Sequence, residues 1–193
     1  MIAKISHGSS LYGVLAYNQL KVDERHADVL FTSRIIESQG DNPYTIGHLS
    51  RSFGDYLTAN RKTEKPVLHI SLNPDPKDCL SEERFVSLAE EYMRRMGITN
   101  TQYIVCRHTD REHQHLHIVA NRVDNDGNTI SDSNDDVRNV AVCKALTREY
   151  GLHFSKGKMN VKRDRLRGKD KVKYQIHDAV KAALPRCGSW SEL

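Results

Sequence analysis

The sequence predicts an α+β fold in which a single antiparallel sheet of about five strands is flanked by helices. Three observations predict it. Short apolar runs bounded by turn residues, such as Val67-Leu68-His69-Ile70-Ser71-Leu72, alternate along the chain with stretches whose apolar residues recur at three and four. Two of those runs, 102–108 and 115–123, are separated only by the polar stretch from Thr109 to Gln114, too short for anything but a hairpin. The chain has 193 residues, which at roughly 150 residues per domain allows one full domain and a modest extension.

The elements follow in order. Ala3-Lys4-Ile5 reads as a short strand, and Gly8-Ser9-Ser10 supplies a turn and a helix N-cap before Leu11, Val14 and Leu15, in a helix running to about Leu20. Gly40-Asp41-Asn42-Pro43 is a turn. From Tyr44 the spacing of Ile46, Leu49, Phe53, Tyr56 and Leu57 predicts a second helix ending near Asn60. Pro66 opens the strand 67–72, which Asn73-Pro74-Asp75-Pro76 closes. Ser81 caps a third helix, with Glu82 and Glu83 where the helix dipole favours acids, Phe85, Leu88, Ala89 and Tyr92 on one face, and Gly97 as its stop. After the hairpin and the turn Asp124-Asn125-Asp126-Gly127-Asn128, the run Ser133-Asn134-Asp135-Asp136 caps a helix that ends at Gly151. Tyr174, Ile176, Ala179, Val180, Ala183 and Leu184 predict a last amphipathic helix.

Composition narrows the function classes. Hydrophobic residues make up 38% and charged residues 28%, a soluble globular balance. No run approaches the roughly 18 apolar residues of a membrane span, and Met1-Ile2-Ala3-Lys4 has no apolar signal core, so a cytoplasmic protein is expected. Cys79, Cys106, Cys143 and Cys187 form no paired spacing and read as reduced thiols. The net charge of +4 is unevenly spread: from Lys156 to Lys173 nine basic residues face two acidic ones, a local +7 that leaves −3 for the rest. This places a boundary between a domain 1–155 and a segment 156–193 made of a basic arm and an amphipathic helix. Such an arm suits a polyanion, nucleic acid first, or is a solvated connector.

The hairpin carries the chemistry. A symmetric turn sets His108 opposite His115 and Cys106 opposite His117, and the pleat places His115 and His117 on the same face. Three imidazoles then converge, and three protein ligands with an open position is the pattern of a catalytic metal site. Alternatives stay open: a closed site that includes Cys106, a set in which His113 replaces His108, or a polar patch without metal. Asp110 is placed to accept a hydrogen bond from a ligand's second ring nitrogen. A metal beside a basic arm suggests phosphoryl chemistry, for which Tyr17 on the first helix is a candidate nucleophile. A tyrosine on an amphipathic helix is otherwise a packing residue.

These residues carry a resemblance. His108-Thr109-Asp110 followed by Gln114-His115-Leu116-His117-Ile118-Val119 resembles the His-x-Asp…His-hydrophobic-His motif of conjugative relaxases, nucleases of the HUH endonuclease superfamily. Gly13-Val14-Leu15-Ala16-Tyr17-Asn18 is similar to their nucleophile motif, and Leu68-His69-Ile70-Ser71-Leu72-Asn73-Pro74 to an intermediate motif. The arrangement looks closest to the mobilisation nucleases of mobilisable elements in Bacteroides-like bacteria, and it covers residues 1 to about 155.

The resemblance implies a bacterial enzyme that nicks one strand at an origin of transfer by transesterification, holds the 5′ phosphate on a tyrosine and later rejoins the ends. It implies Tyr17 as nucleophile, His108, His115 and His117 as ligands of Mn²⁺ or Mg²⁺, with Zn²⁺ also suited, and Asp110 orienting a ligand or assisting proton transfer. His69 and His113 stand as further active-site candidates, His26 as a remote alternative nucleophile. Asn121, Arg122, Lys162, Arg163, Arg165 and Arg167 stand as DNA contacts. Relatives commonly carry a proline before the His-x-His pair, where this chain has Gln114 preceded by an extra His113. Expected partners are single-stranded origin DNA, accessory mobilisation proteins and a coupling protein, and the short segment after 155 reads as the start of a longer carboxy-terminal region. Rival readings are a rolling-circle replication initiator and a non-catalytic DNA-binding module with a structural metal.

Overall fold

A computed structural model describes residues 1–36, 44–60, 62–111, 113–154 and 163–186, the side chains of Ala59 and Arg163 aside. Contacts divide the chain into two compact units, Met1–Ser155 and Lys156–Leu193. In the first, β1 (Ile2–Gly8), α1 (Leu11–Asp23), β2 (Ala27–Ser33), α2 (Ile46–Ala59), β3 (Val67–Asn73), α3 (Glu82–Arg95), β4 (Tyr103–His108), β5 (His115–Asn121) and α4 (Asp135–Glu149) follow one another. The strands form one sheet in the order β1-β3-β5-β4-β2, every neighbouring pair antiparallel. The α+β class with five antiparallel strands is therefore what the sequence leads one to expect.

Helices cover both faces of the sheet. On one face Leu68, Ile70 and Leu72 of β3 and Leu116 and Ile118 of β5 pack with Phe85, Leu88 and Tyr92 of α3 and with Cys143 and Leu146 of α4. On the other, Val67, Ile104, Cys106 and Val119 pack with Leu11 and Leu15 of α1 and with Leu49 and Phe53 of α2. The register explains the split. Leu116 and Ile118 point to the first layer, so His115, His117 and Val119 must point to the second.

Local chemistry accounts for the element ends. Ser10 and Ser81 accept from the backbone N–H three residues on, at 3.2 and 3.4 Å, as N-caps of α1 and α3. α3 and α4 both stop at a glycine of positive φ, Gly97 at 74° and Gly151 at 65°, and in each case the next residue's N–H reaches back to the carbonyl five positions earlier. Asn134 at the start of α4 makes no side-chain cap. Asp135 instead meets His7 Nε2 at 3.1 Å.

β2 has no counterpart among the strands placed from the sequence. Its pairing with β4 skips a residue between Val29 and Phe31, so the two-residue alternation that marks a strand is broken by a bulge. β1 and α1 each run a few residues further than their patterns suggest.

In the second unit, a 3-10 turn Arg163–Arg165 precedes α5 (Gly168–Ala183), which buries none of its residues. It begins six residues before the predicted helix. No helix among the described residues is long and apolar enough to cross a membrane.

Candidate active site

β4 and β5 lie at the middle of the sheet, and their register sets His108 opposite His115 and Cys106 opposite His117. All three histidines are buried, His108 completely. One potential ligand nitrogen from each lies within 4.8 Å of the others. Among the described residues this is the group of acidic, thiol and imidazole side chains arranged to hold a cation, and Cys106 is not part of it. That thiol sits in the apolar layer beneath, where burial pushes it up to about 12. His113 is outside the group as well, and its carbonyl accepts from His115 Nδ1 at 3.4 Å.

Each imidazole has one nitrogen engaged and one buried without a partner. His108 Nε2 donates to Asn18 Oδ1 at 2.9 Å, His115 Nδ1 donates to the His113 carbonyl, and His117 Nδ1 meets His69 Nε2 at 2.6 Å. The remaining atoms, His108 Nδ1, His115 Nε2 and His117 Nε2, are buried with no hydrogen-bond partner. Three orphaned nitrogens would be costly in an apolar interior. With one nitrogen of each ring within 4.8 Å of the others, a divalent cation would satisfy such atoms, the engaged nitrogens being held as second-layer partners hold metal-binding histidines. Burial, and at His108 and His117 the neighbouring imidazoles, lowers the ring pKa values, to about 4 for His108 and about 2 for His117. Burial also lowers those of His115 and His69, the latter with help from Lys4. The rings are thus neutral at pH 7, the form that offers a lone pair.

α1 brings Tyr17 over this cluster. Its ring stacks on His108 with centroids 5.9 Å apart, and lies 5.9 Å from His117 and 6.5 Å from His69. Tyr17 remains 39% exposed, open to a ligand as well as to the cluster. One turn on, Lys21 Nζ sits 3.4 Å from Asp110 Oδ2. Burial, the largest single influence, would raise the Asp110 carboxyl, but the Lys21 hydrogen bond and the neighbouring charges together outweigh it and hold the group below its ordinary value. Asp110 Oδ1 is 3.9 Å from His115 Nε2, the inward nitrogen. The second ring nitrogens are served instead by Asn18, the His113 carbonyl and His69.

Beyond His117 the sheet face over β1 and β3 is open, a groove of about 340 Å³ lined by Lys4, Ser6, His69, Ser71, Asn73 and Arg111. Sequence reasoning missed its cations. Lys4, Ser6, Ser71 and Asn73 share the face of His69 through the β1–β3 register, which requires the pairing of two strands distant in sequence.

Asn121, Arg122 and His26 do not line this groove. Asn121 is buried and its Oδ1 accepts from Val123 N at 2.9 Å. Arg122 bonds the Ile130 carbonyl and pairs with Asp132 at 2.9 Å, away from the cluster. His26 lies past the end of α1, with Glu24 3.5 Å from its Nδ1. Arg165 and Arg167 are exposed in the second unit, whereas Lys162 and the Arg163 side chain lie outside the described residues.

No curated protein shows a significant match to the chain. A family model described as "Relaxase: MobA/VirD2-like, nuclease domain" matches residues 24–152, about two thirds of the sequence and all of β2 through α4, including His69, His108, His115 and His117. The five-stranded antiparallel fold and the buried histidine cluster agree with that match, and the chain belongs to the MobA/VirD2-like relaxase nuclease domain family.

Proposed function

We propose that this relaxase domain nicks one strand of DNA at an origin of transfer, with Tyr17 as the nucleophile, in the mobilisation of a plasmid or similar bacterial element. The observation that carries the reading is the Tyr17 ring placed over the histidine cluster, 5.9 Å from both His108 and His117. α1 lies ahead of the family-matched span, so the placement is independent of that match.

His108, His115 and His117 are the residues that would hold the divalent ion, Mn²⁺ or Mg²⁺ with Zn²⁺ also suited. Once bound, the ion supplies positive charge to a phosphate oxygen as charge develops there. The Tyr17 phenolic oxygen attacks the scissile phosphorus. The P–O bond to tyrosine forms as the bond to the 3′ oxygen breaks, and a proton equivalent to the one the phenol loses is taken up by the leaving 3′ oxygen. Asp110, ionised beside Lys21, assists movement of the phenol proton. Rejoining is the reverse attack by the 3′ hydroxyl on the phosphotyrosine. The strand enters along the groove of Lys4 and Arg111, where cations meet the phosphate backbone, and the basic segment after residue 155 adds further backbone contacts. Accessory mobilisation proteins and a coupling protein complete the expected partners.

The test is a denaturing gel of the protein incubated with labelled single-stranded origin DNA and Mn²⁺. Wild type yields a protein–DNA band that survives denaturation, and Tyr17→Phe yields none. An adduct that persists in Tyr17→Phe would overturn the assignment.

A further inference from the structure

Leu11, Leu15 and Asn18 are the buried residues of α1. Their spacing is that of a core-facing stripe, and its last position is an amide where an apolar residue would be the ordinary choice. Asn18 is 3% exposed, so both ends of its side chain need partners. The Val14 carbonyl can only accept, and it takes the amide nitrogen at 2.9 Å. That leaves Oδ1 facing His108 Nε2 at 2.9 Å. An amide oxygen has no proton to give, so His108 must donate from Nε2. In a neutral ring the other nitrogen, Nδ1, then carries the lone pair, and Nδ1 is the buried atom without a partner.

We propose that Asn18 is a positioning residue which locks His108 in the Nε2–H tautomer and so aims its Nδ1 lone pair into the cluster. The lock stands on the turn of helix that carries Tyr17, so one hydrogen bond sets both the tautomer of a ligand and the seat of the nucleophile helix. A carbonyl or amide in this role behaves like the oxygen partners that commonly orient metal-binding histidines. The inference rests on the metal site proposed above, but its tautomer half does not require metal.

The experiment compares wild type, Asn18→Leu and Asn18→Asp by two readouts. In metal-free protein at neutral pH, long-range imidazole ¹H–¹⁵N correlations report which nitrogen of His108 is protonated. Calorimetric titration with Co²⁺ reports affinity. Wild type shows the Nε2–H form. Asn18→Leu, which keeps the volume and removes the acceptor, shows mixed tautomers and binds Co²⁺ about 10–100-fold more weakly. Asn18→Asp, which keeps an acceptor oxygen, restores the Nε2–H signature. If Asn18→Leu does not fold, Asn18→Ala replaces it in the same comparison. A His108 tautomer and a Co²⁺ affinity unchanged by loss of the acceptor overturn the proposal. A wild type with a fixed tautomer and no Co²⁺ binding overturns the metal site while leaving the tautomer lock standing.

Discussion

His117 shows how much the chemistry of a single ring depends on its neighbour. Its Nε2 is free to accept only when Nδ1 carries the proton, and Nδ1 lies 2.6 Å from His69 Nε2. His69 is therefore the acceptor of that bond, and its own proton sits on Nδ1. Replacing His69 with Ala removes the acceptor, and the expected outcome is a loss of about 10–100-fold in Mn²⁺ affinity by calorimetry. His69→Gln, whose amide oxygen can accept, loses less. The convergence of His108, His115 and His117 was legible in the sequence because hairpin register and pleat are short-range rules. Their outer partners were not. His69 reaches His117 across the β3–β5 pairing, and Asn18 reaches His108 across the packing of a helix on the sheet, neither of which leaves a spacing in the sequence. The signal for Asn18 was weaker but present, an amide at the end of an apolar stripe.

Among the elements, the loop before α3 is tied to the segment after α4 by one carboxylate. Asp78 accepts from the His153 N–H at 3.0 Å, from His153 Nδ1 at 2.6 Å and from Asp75 N at 3.1 Å, and its side chain is 4% exposed. Burial would raise its pKa, but these hydrogen bonds outweigh it and hold the group below the ordinary 3.8. A depressed folded value contributes stability that is complete above the unfolded value and disappears as pH falls through the folded one. Asp78→Asn is thus expected to cost about 1.5–3 kcal/mol at neutral pH by chemical denaturation, and the gap to wild type should close below about pH 4. Most elements could be read from capping serines, stop glycines and apolar spacing. The exception, β2, is instructive. With Leu30 unpaired between Val29 and Phe31, its pattern reads as an apolar patch of no period, and only the partner strand turns it into structure.

Within the first unit, the larger apolar layer, built on α3 and α4, lies on the face of the sheet opposite the histidine cluster. The fold should stand without metal. EDTA is expected to leave the far-ultraviolet circular dichroism unchanged, and to lower the thermal midpoint only by the linkage of a bound ligand. Unfolding on chelation would mark a structural metal instead. The charge arithmetic of the sequence pointed to the basic arm alone, whereas the fold adds the cations of the open groove. Replacing Lys4 and Arg111 with Ala should reduce the salt slope of single-stranded DNA affinity by about 1.4 if each meets one phosphate, and replacing Arg165 and Arg167 tests the arm by the same titration. The nucleophile remains the centre of the account, and the most direct measurement locates the covalent bond. After incubation with single-stranded origin DNA and Mn²⁺, protease digestion and tandem mass spectrometry should find the nucleotide phosphate on Tyr17. A phosphate found on Tyr12, His26 or any other side chain would contradict it.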